Sequence, residues 1–175
     1  MKPGKLNILW LDPGGTTGWA LYTCDLMSMG EGTPWEHHNV KWNSGHLGPE
    51  QHHCQLWSLI GACHTDNYIL GYESFEFRQG KQRAKIVLDS KEYIGLCKLY
   101  ACLTNPTVPV ELISQTAATG KGFWSDEKLK QVGLFTPAMR HAMDATRHLL
   151  HYLTFGPFQR REWFQLLKED GETRS

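Results

Sequence analysis

The apolar positions of this chain fall into short runs interrupted by turn residues, a pattern typical of several strands. The first run, residues 7–11, is continuous and ends at the tetrapeptide Asp-Pro-Gly-Gly, which predicts a buried strand and a tight turn. A second run at 16–23 alternates, and a third candidate strand lies at 33–42. Glycine-containing turns between these runs predict a three-strand antiparallel meander. Two more apolar runs, 68–72 and 108–113, predict further buried strands.

Segments in which apolar residues recur at helical spacing alternate along the chain with the later strands. This spacing predicts helices at 50–64, at 90–103 with Ser90 as the N-cap, from Ser125 onward, and at 137–153. The last helix is the clearest because its apolar residues recur at spacings of three and four, namely Ala142, Ala145, Leu149 and Leu153. The order β-β-β-α-β-α-β-α predicts an α/β fold in which helices flank a mixed sheet, an antiparallel meander plus parallel strands.

The composition indicates one folded domain. The 175 residues are 41% hydrophobic and 21% charged, which excludes disordered, collagen-like and disulfide-scaffold classes. We expect the main domain to cover residues 1–158 and a C-terminal helix or tail to cover 159–175, with a short helix at 159–168. No apolar run is long enough for a transmembrane helix, and five irregularly spaced cysteines suit a reducing compartment. We therefore expect a soluble intracellular protein.

Charge is balanced overall but unevenly distributed along the chain. Eighteen Lys and Arg residues oppose eighteen Asp and Glu residues, which argues against a protein that coats nucleic acid through bulk charge. Residues 1–66 contain three lysines and six acids, whereas residues 67–175 contain fifteen basic and twelve acidic residues. We expect an anionic partner to contact the second part of the chain.

Three carboxylates occupy places where an α/β sheet forms ligand sites. Asp12 ends the first strand, Glu73 ends the fourth, and Asp144 lies in the last long helix, one turn after His141. Grouped carboxylates repel one another unless a cation neutralises them, so the pattern indicates a hard divalent cation such as Mg²⁺. Two such ions about 4 Å apart can activate water for phosphodiester hydrolysis. Each acid also has a structural interpretation: a turn residue before Pro13, an edge-strand charge and a solvated helix charge, respectively.

These residues also carry a resemblance to a known family. The string Asp-Pro-Gly-Gly-Thr-Thr-Gly-Trp-Ala at 12–20 resembles the first motif of RuvC-type Holliday-junction resolvases, within the ribonuclease H-like fold, and is most similar to the phage-type branch. Glu73 resembles the second acidic position, and His-Ala-Met-Asp-Ala at 141–145 resembles the last motif. The segment 119–122, followed by Lys128, is similar to the basic stretch that precedes that motif. The resemblance covers nearly the whole chain.

The resemblance implies a metal-dependent endonuclease that cleaves branched DNA, in particular four-way junctions, as a homodimer. Asp12, Glu73, His141 and Asp144 would be both the catalytic residues and the ligands of Mg²⁺ or Mn²⁺, with two ions per site. The implied setting is the cytoplasm of a prokaryotic or phage-infected cell, away from membranes. The neutral total charge departs from the more basic character expected of such a nuclease.

A cationic segment follows the second acidic strand and is the predicted DNA-binding surface. It includes two aromatic side chains that can stack or wedge against bases, and its residues are Phe75, Phe77, Arg78, Lys81, Arg83 and Lys85. Lys121 and Lys128 belong to a second cationic group. These side chains would contact phosphates without reading sequence. A solvated loop is the structural interpretation of the same pattern.

Other functions are compatible with parts of the sequence. The Asp-x-Gly-x-Thr element at 12–16 also resembles the phosphate loop of sugar kinases and actin-like ATPases, although 175 residues are too few for their two domains. A structure-selective DNA-binding protein with a degenerate site is the non-enzymatic alternative. The His and Cys residues at 52–54 and 63–64 lack the spacing of a zinc site. His148 and His151 are expected at the surface or at an interface.

Overall fold

A five-stranded mixed sheet with helices on both faces forms the fold. The computed structural model describes residues 3–27, 36–48, 52–74, 84–104 and 110–160 of the chain. In chain order the elements of these residues are β1 (Gly4–Asp12), β2 (Thr17–Met27), β3 (Glu36–Leu47), α1 (His52–Cys63), β4 (Asn67–Glu73), α2 (Ala84–Thr104), β5 (Val110–Gln115), α3 (Ala117–Phe123), α4 (Asp126–Gln131) and α5 (Arg140–Phe155).

The sheet has the strand order β3-β2-β1-β4-β5. Strands β1, β2 and β3 pair antiparallel as consecutive neighbours, whereas β4 pairs parallel with β1 and β5 pairs parallel with β4. Parallel neighbours need a long crossover connection, which α2 provides between β4 and β5. The predicted fold class, a mixed sheet made of an antiparallel meander plus parallel strands, is confirmed.

Two apolar layers, one on each face of the sheet, hold the helices in place. On one face, Ile8 of β1 packs with Leu149 and Leu153 of α5. On the other face, Leu9 of β1 packs with Leu56 of α1. Alternate residues of β1 therefore enter different cores, as the two-residue period of a strand requires. The continuous apolar run in the sequence results from this burial of β1 on both faces.

Helix α5 is buried along the predicted apolar stripe. Its four members have no exposed surface: Ala142, Ala145, Leu149 and Leu153. The spacing of three and four residues in the sequence therefore identified the side of α5 that packs on the sheet and on the neighbouring helices.

The start of α2 differs from the sequence prediction. The helix begins at Ala84, so Ser90 lies inside it and the prediction of Ser90 as an N-cap is wrong. The Ser90 hydroxyl instead donates a hydrogen bond to the carbonyl oxygen of Pro13 at 2.8 Å. This bond ties α2 to the turn between β1 and β2. A serine can therefore bind a distant carbonyl as well as cap its own helix, and spacing alone does not separate the two uses.

Helix α3 has no counterpart in the sequence prediction. Gly120 and Gly122 lie within it, and glycine disfavours a helix by about 1 kcal/mol relative to alanine. Packing explains Gly120: an added Cβ would lie 2.8 Å from the backbone nitrogen of His148 in α5. Only glycine allows α3 and α5 to approach this closely. Tertiary contact therefore outweighs local propensity in this helix.

The chain beyond α5 is described only as far as residue 160. The helix predicted at 159–168 lies mostly outside the described residues, and the boundary predicted at 158 stays a prediction. Among the helices that the structure describes, none is both long and apolar enough to cross a membrane.

Candidate active site

The candidate site lies at the edge of the sheet where two parallel strands end. β1 and β4 pair in register with Leu11 beside Tyr72. The next residues, Asp12 and Glu73, are the last residues of their strands. The register therefore brings these two predicted site residues together at the carboxyl ends of β1 and β4, where open α/β sheets bind ligands.

The first turns of α5 cover this edge and bring the other two predicted residues to it. His141 Nδ1 lies 3.2 Å from Asp12 Oδ2, a contact between residues 129 positions apart. Asp144, one turn later, lies on the same side of α5. The helix comes very close to β2 at Gly18, where an added Cβ would lie 2.0 Å from the carbonyl oxygen of His141. Glycine at this position therefore permits the contact between α5 and the strand ends.

Lys121 of α3 lies between the remaining two carboxylates. Its Nζ is 3.3 Å from Glu73 Oε2 and 3.0 Å from Asp144 Oδ2. Burial alone would lower the pKa of Lys121, but the charges of Glu73 and Asp144 outweigh burial and raise the pKa. The lysine that the sequence suggested as a DNA contact is thus also the internal cation of a carboxylate cluster, which we define as Asp12, Glu73 and Asp144.

The acids of this cluster have different electrostatic environments. Burial raises the pKa of Asp12, and the charge of Glu73 raises it further, while the hydrogen bond with His141 partly opposes both effects. Burial also favours a higher pKa for Glu73, but hydrogen bonding to His148 and the charge of Lys121 bring its net pKa below the usual value. The hydrogen bond with Asp12 raises the pKa of His141. Of these two acids, Asp12 therefore has a negative charge that is less well compensated than that of Glu73.

Arg147 holds the second oxygen of Asp144. Its guanidinium contacts Asp144 Oδ1 and Asp126 Oδ1, and its Nε donates to the carbonyl oxygen of Trp124 at 2.9 Å. Because Lys121 contacts the other oxygen, the Asp144 carboxylate is bound on both sides and only 17% exposed. The interpretation of Asp144 as a solvated helix charge is therefore wrong. No pattern in the sequence indicated Asp126 or Trp124, which precede α5 and meet it only through packing.

His148 is the residue that sequence reasoning misplaced. It has no exposed surface, so the prediction of a surface or interface position for it is wrong. Its Nε2 lies 2.9 Å from Glu73 Oε2, and its Nδ1 lies 2.9 Å from Gln115 Oε1. A signal was present in the sequence, because His148 follows His141 by seven residues and Asp144 by four and so shares their side of α5.

The predicted DNA-binding residues fall into two groups. Five of them lie outside the described residues: Phe75, Phe77, Arg78, Lys81 and Arg83. Lys85 belongs to α2, and its side chain is also outside the description. Lys128 donates from Nζ to the carbonyl oxygen of Phe123 at 2.9 Å, with Nζ 3.6 Å from the centroid of the Phe123 ring. Lys128 therefore joins α4 to the end of α3, and its DNA contact stays a prediction.

The four predicted ligands offer the donor chemistry of a Mg²⁺ or Mn²⁺ site, namely carboxylate oxygens and an imidazole nitrogen. Among the residues that the structure describes, no three His, Cys, Asp or Glu side chains converge closely enough to bind one ion as they stand. The Lys121 ammonium instead supplies positive charge between Glu73 and Asp144. The donor set therefore fits a hard divalent cation, and Lys121 marks a position where a cation is stabilised.

A cavity of about 550 Å³ opens beside the carboxylate cluster. Asp144 and Lys121 form part of its wall, together with Arg140 and Arg147 of α5. A space of this volume is within the range of small-ligand sites and accommodates a nucleotide-sized group. The cavity adjoins the cluster at Asp144, and Asp126 of α4 also lines it.

The sheet order, the flanking helices and the acids at the ends of the central strands together correspond to a ribonuclease H-like fold. The particular likeness is to RuvC. Thermus thermophilus RuvC in complex with a Holliday junction substrate aligns with 89% of this chain and 97% of its own, at 12% identity and a TM-score of 0.51. Another Thermus thermophilus RuvC structure aligns with 86% of this chain and 97% of its own, at 16% identity and a TM-score of 0.49.

No protein-family model and no curated protein matches the chain. At 12% identity the likeness to the junction-bound RuvC structure establishes the fold alone. The predicted RuvC-like fold is therefore confirmed, whereas the resemblance to the phage-type branch stays a prediction.

Proposed function

We propose that this protein is a divalent-metal-dependent endonuclease that cleaves branched DNA, with the four-way junction as its preferred substrate. The observation that carries the proposal is the carboxylate cluster, in which acids from three distant segments meet around Lys121 and His141. Burial raises the pKa of Asp12, the charges of Glu73 and Asp144 raise it further, and a bound cation would offset this repulsion. The fold shared with RuvC, a protein whose structure is known in complex with a Holliday junction substrate, adds support.

Asp12, Glu73, His141 and Asp144 are the proposed ligands of two Mg²⁺ or Mn²⁺ ions. Such ions supply an activated water and neutralise charge on the leaving oxygen during phosphodiester hydrolysis. Asp12 and Glu73 come from strand ends and Asp144 from a packed helix, so rigid elements hold the backbones of the donors near one another, and the side chains would converge further when the ions bind. His141 is partly exposed and contacts Asp12 through Nδ1, which leaves Nε2 available to a metal or a proton.

Lys121 is proposed to contact the phosphate of the bound strand. Its ammonium offsets the charge of carboxylates that would otherwise repel a phosphodiester, and its side chain is 38% exposed. Arg140 lines the adjoining cavity and would add a phosphate contact there. The other predicted DNA contacts are proposed from the sequence alone, and they are Phe75, Phe77, Arg78, Lys81, Arg83, Lys85 and Lys128. The zero net charge of the chain is compatible with such a DNA-binding surface because bound cations would cancel carboxylate charge at the site.

A homodimer is proposed as the working form. Two helices carry large apolar side chains that remain exposed in the single chain: Leu99 and Leu103 of α2, at 53% and 62%, and Trp57 of α1, at 39%. Covering such residues with a second copy would remove apolar surface from water. Sedimentation of the full chain is expected to give the mass of two copies.

The proposal is tested by a cleavage assay on a four-way junction, a flap, a fork and a linear duplex, each with Mg²⁺, with Mn²⁺ and with a chelator. We expect metal-dependent cleavage with the junction preferred. Asp12→Asn and Asp144→Asn should each reduce cleavage by at least about 100-fold while junction binding in a gel shift is retained. Asp66→Asn is the matched control, since Asp66 is exposed and precedes β4 at the end opposite Glu73.

The outcomes separate the competing functions. Undiminished cleavage by both Asn variants would refute the assignment of the site. Junction binding without metal-dependent cleavage by the wild type would favour a DNA-binding protein with a degenerate site. Nucleotide binding without any DNA cleavage would favour a phosphate-binding protein of the sugar-kinase or actin-like kind.

A further inference from the structure

A buried polar chain lies directly behind the carboxylate cluster. Glu73 and Gln115 are paired neighbours across β4 and β5, and His148 of α5 spans both side chains. Its Nε2 is 2.9 Å from Glu73 Oε2, and its Nδ1 is 2.9 Å from Gln115 Oε1. His148 has no exposed surface. It cannot reach DNA or solvent, so any effect it has on the site must act through Glu73.

Packing fixes the plane of the His148 ring. The Trp10 indole stacks on the imidazole, with ring centroids 6.2 Å apart and planes inclined by 8°. Trp10 can lie there because the neighbouring strand has Gly71, where an added Cβ would lie 2.2 Å from the indole. The backbone nitrogen of His148 is itself in close contact with Gly120 of α3. With one face stacked on an indole and both ring nitrogens hydrogen-bonded, the imidazole has little freedom to rotate.

The hydrogen-bonding capacities of the two partners specify what His148 does. An ionised carboxylate only accepts hydrogen bonds, so the contact with Glu73 requires His148 to donate Nε2–H. The Gln115 amide can complement Nδ1 in either state because it carries both a donor and an acceptor. The main chain reinforces this position, since the Ser74 N–H donates to the carbonyl oxygen of Gln115 at 2.7 Å. Gln115 therefore orients the imidazole, and the imidazole orients Glu73.

We propose that His148 is a positioning residue, which donates Nε2–H to Glu73 and holds that carboxylate in the orientation needed to bind a divalent cation. This inference rests on the proposed function, because it assigns His148 a role toward the proposed metal site. Hydrogen bonds from buried groups to metal ligands typically change metal affinity or activity by about 10–100-fold when they are removed. Two donors contact Glu73 Oε2, the buried His148 and the partly exposed Lys121. Loss of the His148 donor leaves Lys121 as the remaining side-chain contact of Glu73 among the described residues.

The test compares His148→Leu, which fills a similar volume without a donor, with His148→Gln, whose amide can reach Glu73. Mn²⁺ binding to the full chain is measured by calorimetry without DNA, and urea unfolding is measured alongside. We expect His148→Leu to weaken Mn²⁺ binding by about 10–100-fold and His148→Gln to restore most of the affinity. Gln115→Met should produce a smaller loss. His151→Leu is the matched control, because His151 is on the same helix and packs on Phe155.

A second readout needs neither metal nor cleavage. Nitrogen NMR of the isotope-labelled histidine side chains identifies which nitrogen of His148 carries the proton, and we expect Nε2. An unprotonated Nε2 would overturn the proposal, even if His148→Leu fails to fold. Wild-type Mn²⁺ affinity in a folded His148→Leu would also overturn it.

The two proposals fail in different ways. A wild-type chain that binds Mn²⁺ but cleaves no DNA would overturn the proposed nuclease, while the His148 comparison is still decided by Mn²⁺ affinity. A wild-type chain that binds no Mn²⁺ would overturn both.

Discussion

Gly18 is the position where a single methyl group should disturb the candidate site most directly. A Cβ added there would lie 2.0 Å from the carbonyl oxygen of His141, 2.1 Å from its carbonyl carbon and 2.7 Å from the nitrogen of Ala142. All three atoms are backbone, so no change of rotamer can relieve the overlap. A Cβ atom essentially never lies within 3.0 Å of such an atom, so β2 and α5 must separate by about 1 Å.

This displacement determines the size of the expected effect. Overpacking of a well-packed contact typically costs about 1–3 kcal/mol, and we expect Gly18→Ala at the upper end because backbone meets backbone. The same movement shifts His141 relative to Asp12. In the wild type, His141 Nδ1 lies 3.2 Å from Asp12 Oδ2. A misplacement of about 1 Å at a reacting centre can reduce the rate by about 100-fold. Cleavage should therefore fall further than stability alone explains.

Urea unfolding and junction cleavage measure the two effects. Gly95→Ala is the control because Gly95 is an exposed residue of α2 with nothing within 4 Å of an added Cβ. It should leave cleavage unchanged and stabilise the protein by up to about 1 kcal/mol. The reasoning is refuted if the free energy of unfolding of Gly18→Ala is within about 0.5 kcal/mol of the wild-type value and the variant cleaves at the wild-type rate. The close approach of β2 and α5 would then not hold the site.

Three further predictions concern the core, the internal cation and the thiols. Leu149→Ala should reduce the free energy of unfolding by about 2–5 kcal/mol in urea titration, because Leu149 is fully buried between α5 and the sheet; a loss below about 1 kcal/mol would contradict that packing. Lys121→Met should bind Mn²⁺ several-fold more tightly, because a partly exposed ion pair worth about 1 kcal/mol no longer competes with the metal. The same variant should cleave DNA more slowly. Weaker Mn²⁺ binding would argue against that competition. Burial raises the pKa of Cys24 and Cys63 to about 11 and that of Cys97 to about 12, so at about pH 8 these thiols stay protonated and unreactive. Mass spectrometry after brief alkylation should therefore find two adducts, on the exposed Cys54 and Cys102, and five adducts in urea; rapid labelling of the buried thiols in the native chain would contradict the fold.

Local patterns were sufficient where one signal dominated. The continuous apolar run of β1 and the three-and-four spacing of α5 predicted a buried strand and a packed helix, and both are present. The start of α2 and the whole of α3 were not predictable in this way. Ser90 binds a carbonyl at a distant turn, and Gly120 lies in a helix because a neighbouring helix passes close to it. In both cases a long-range contact outweighs the preference of the local sequence.

The candidate site divides in the same way. Local sequence patterns were enough to predict the acids and their places, because Asp12 and Glu73 end apolar strands and Asp144 follows His141 by one helical turn. These are properties of short segments, whose periodicity reports burial and direction but not the partner.

The cations and hydrogen-bond donors that meet those acids depend on the packing of the whole fold. Lys121 lies between Glu73 and Asp144, and His148 joins Glu73 to Gln115 across the core. The partners of Glu73 are 48 and 75 positions away along the chain, so their meeting depends on strand register and on glycines that let helices approach closely. A one-dimensional pattern carries no record of those distances, because close packing between elements sets them.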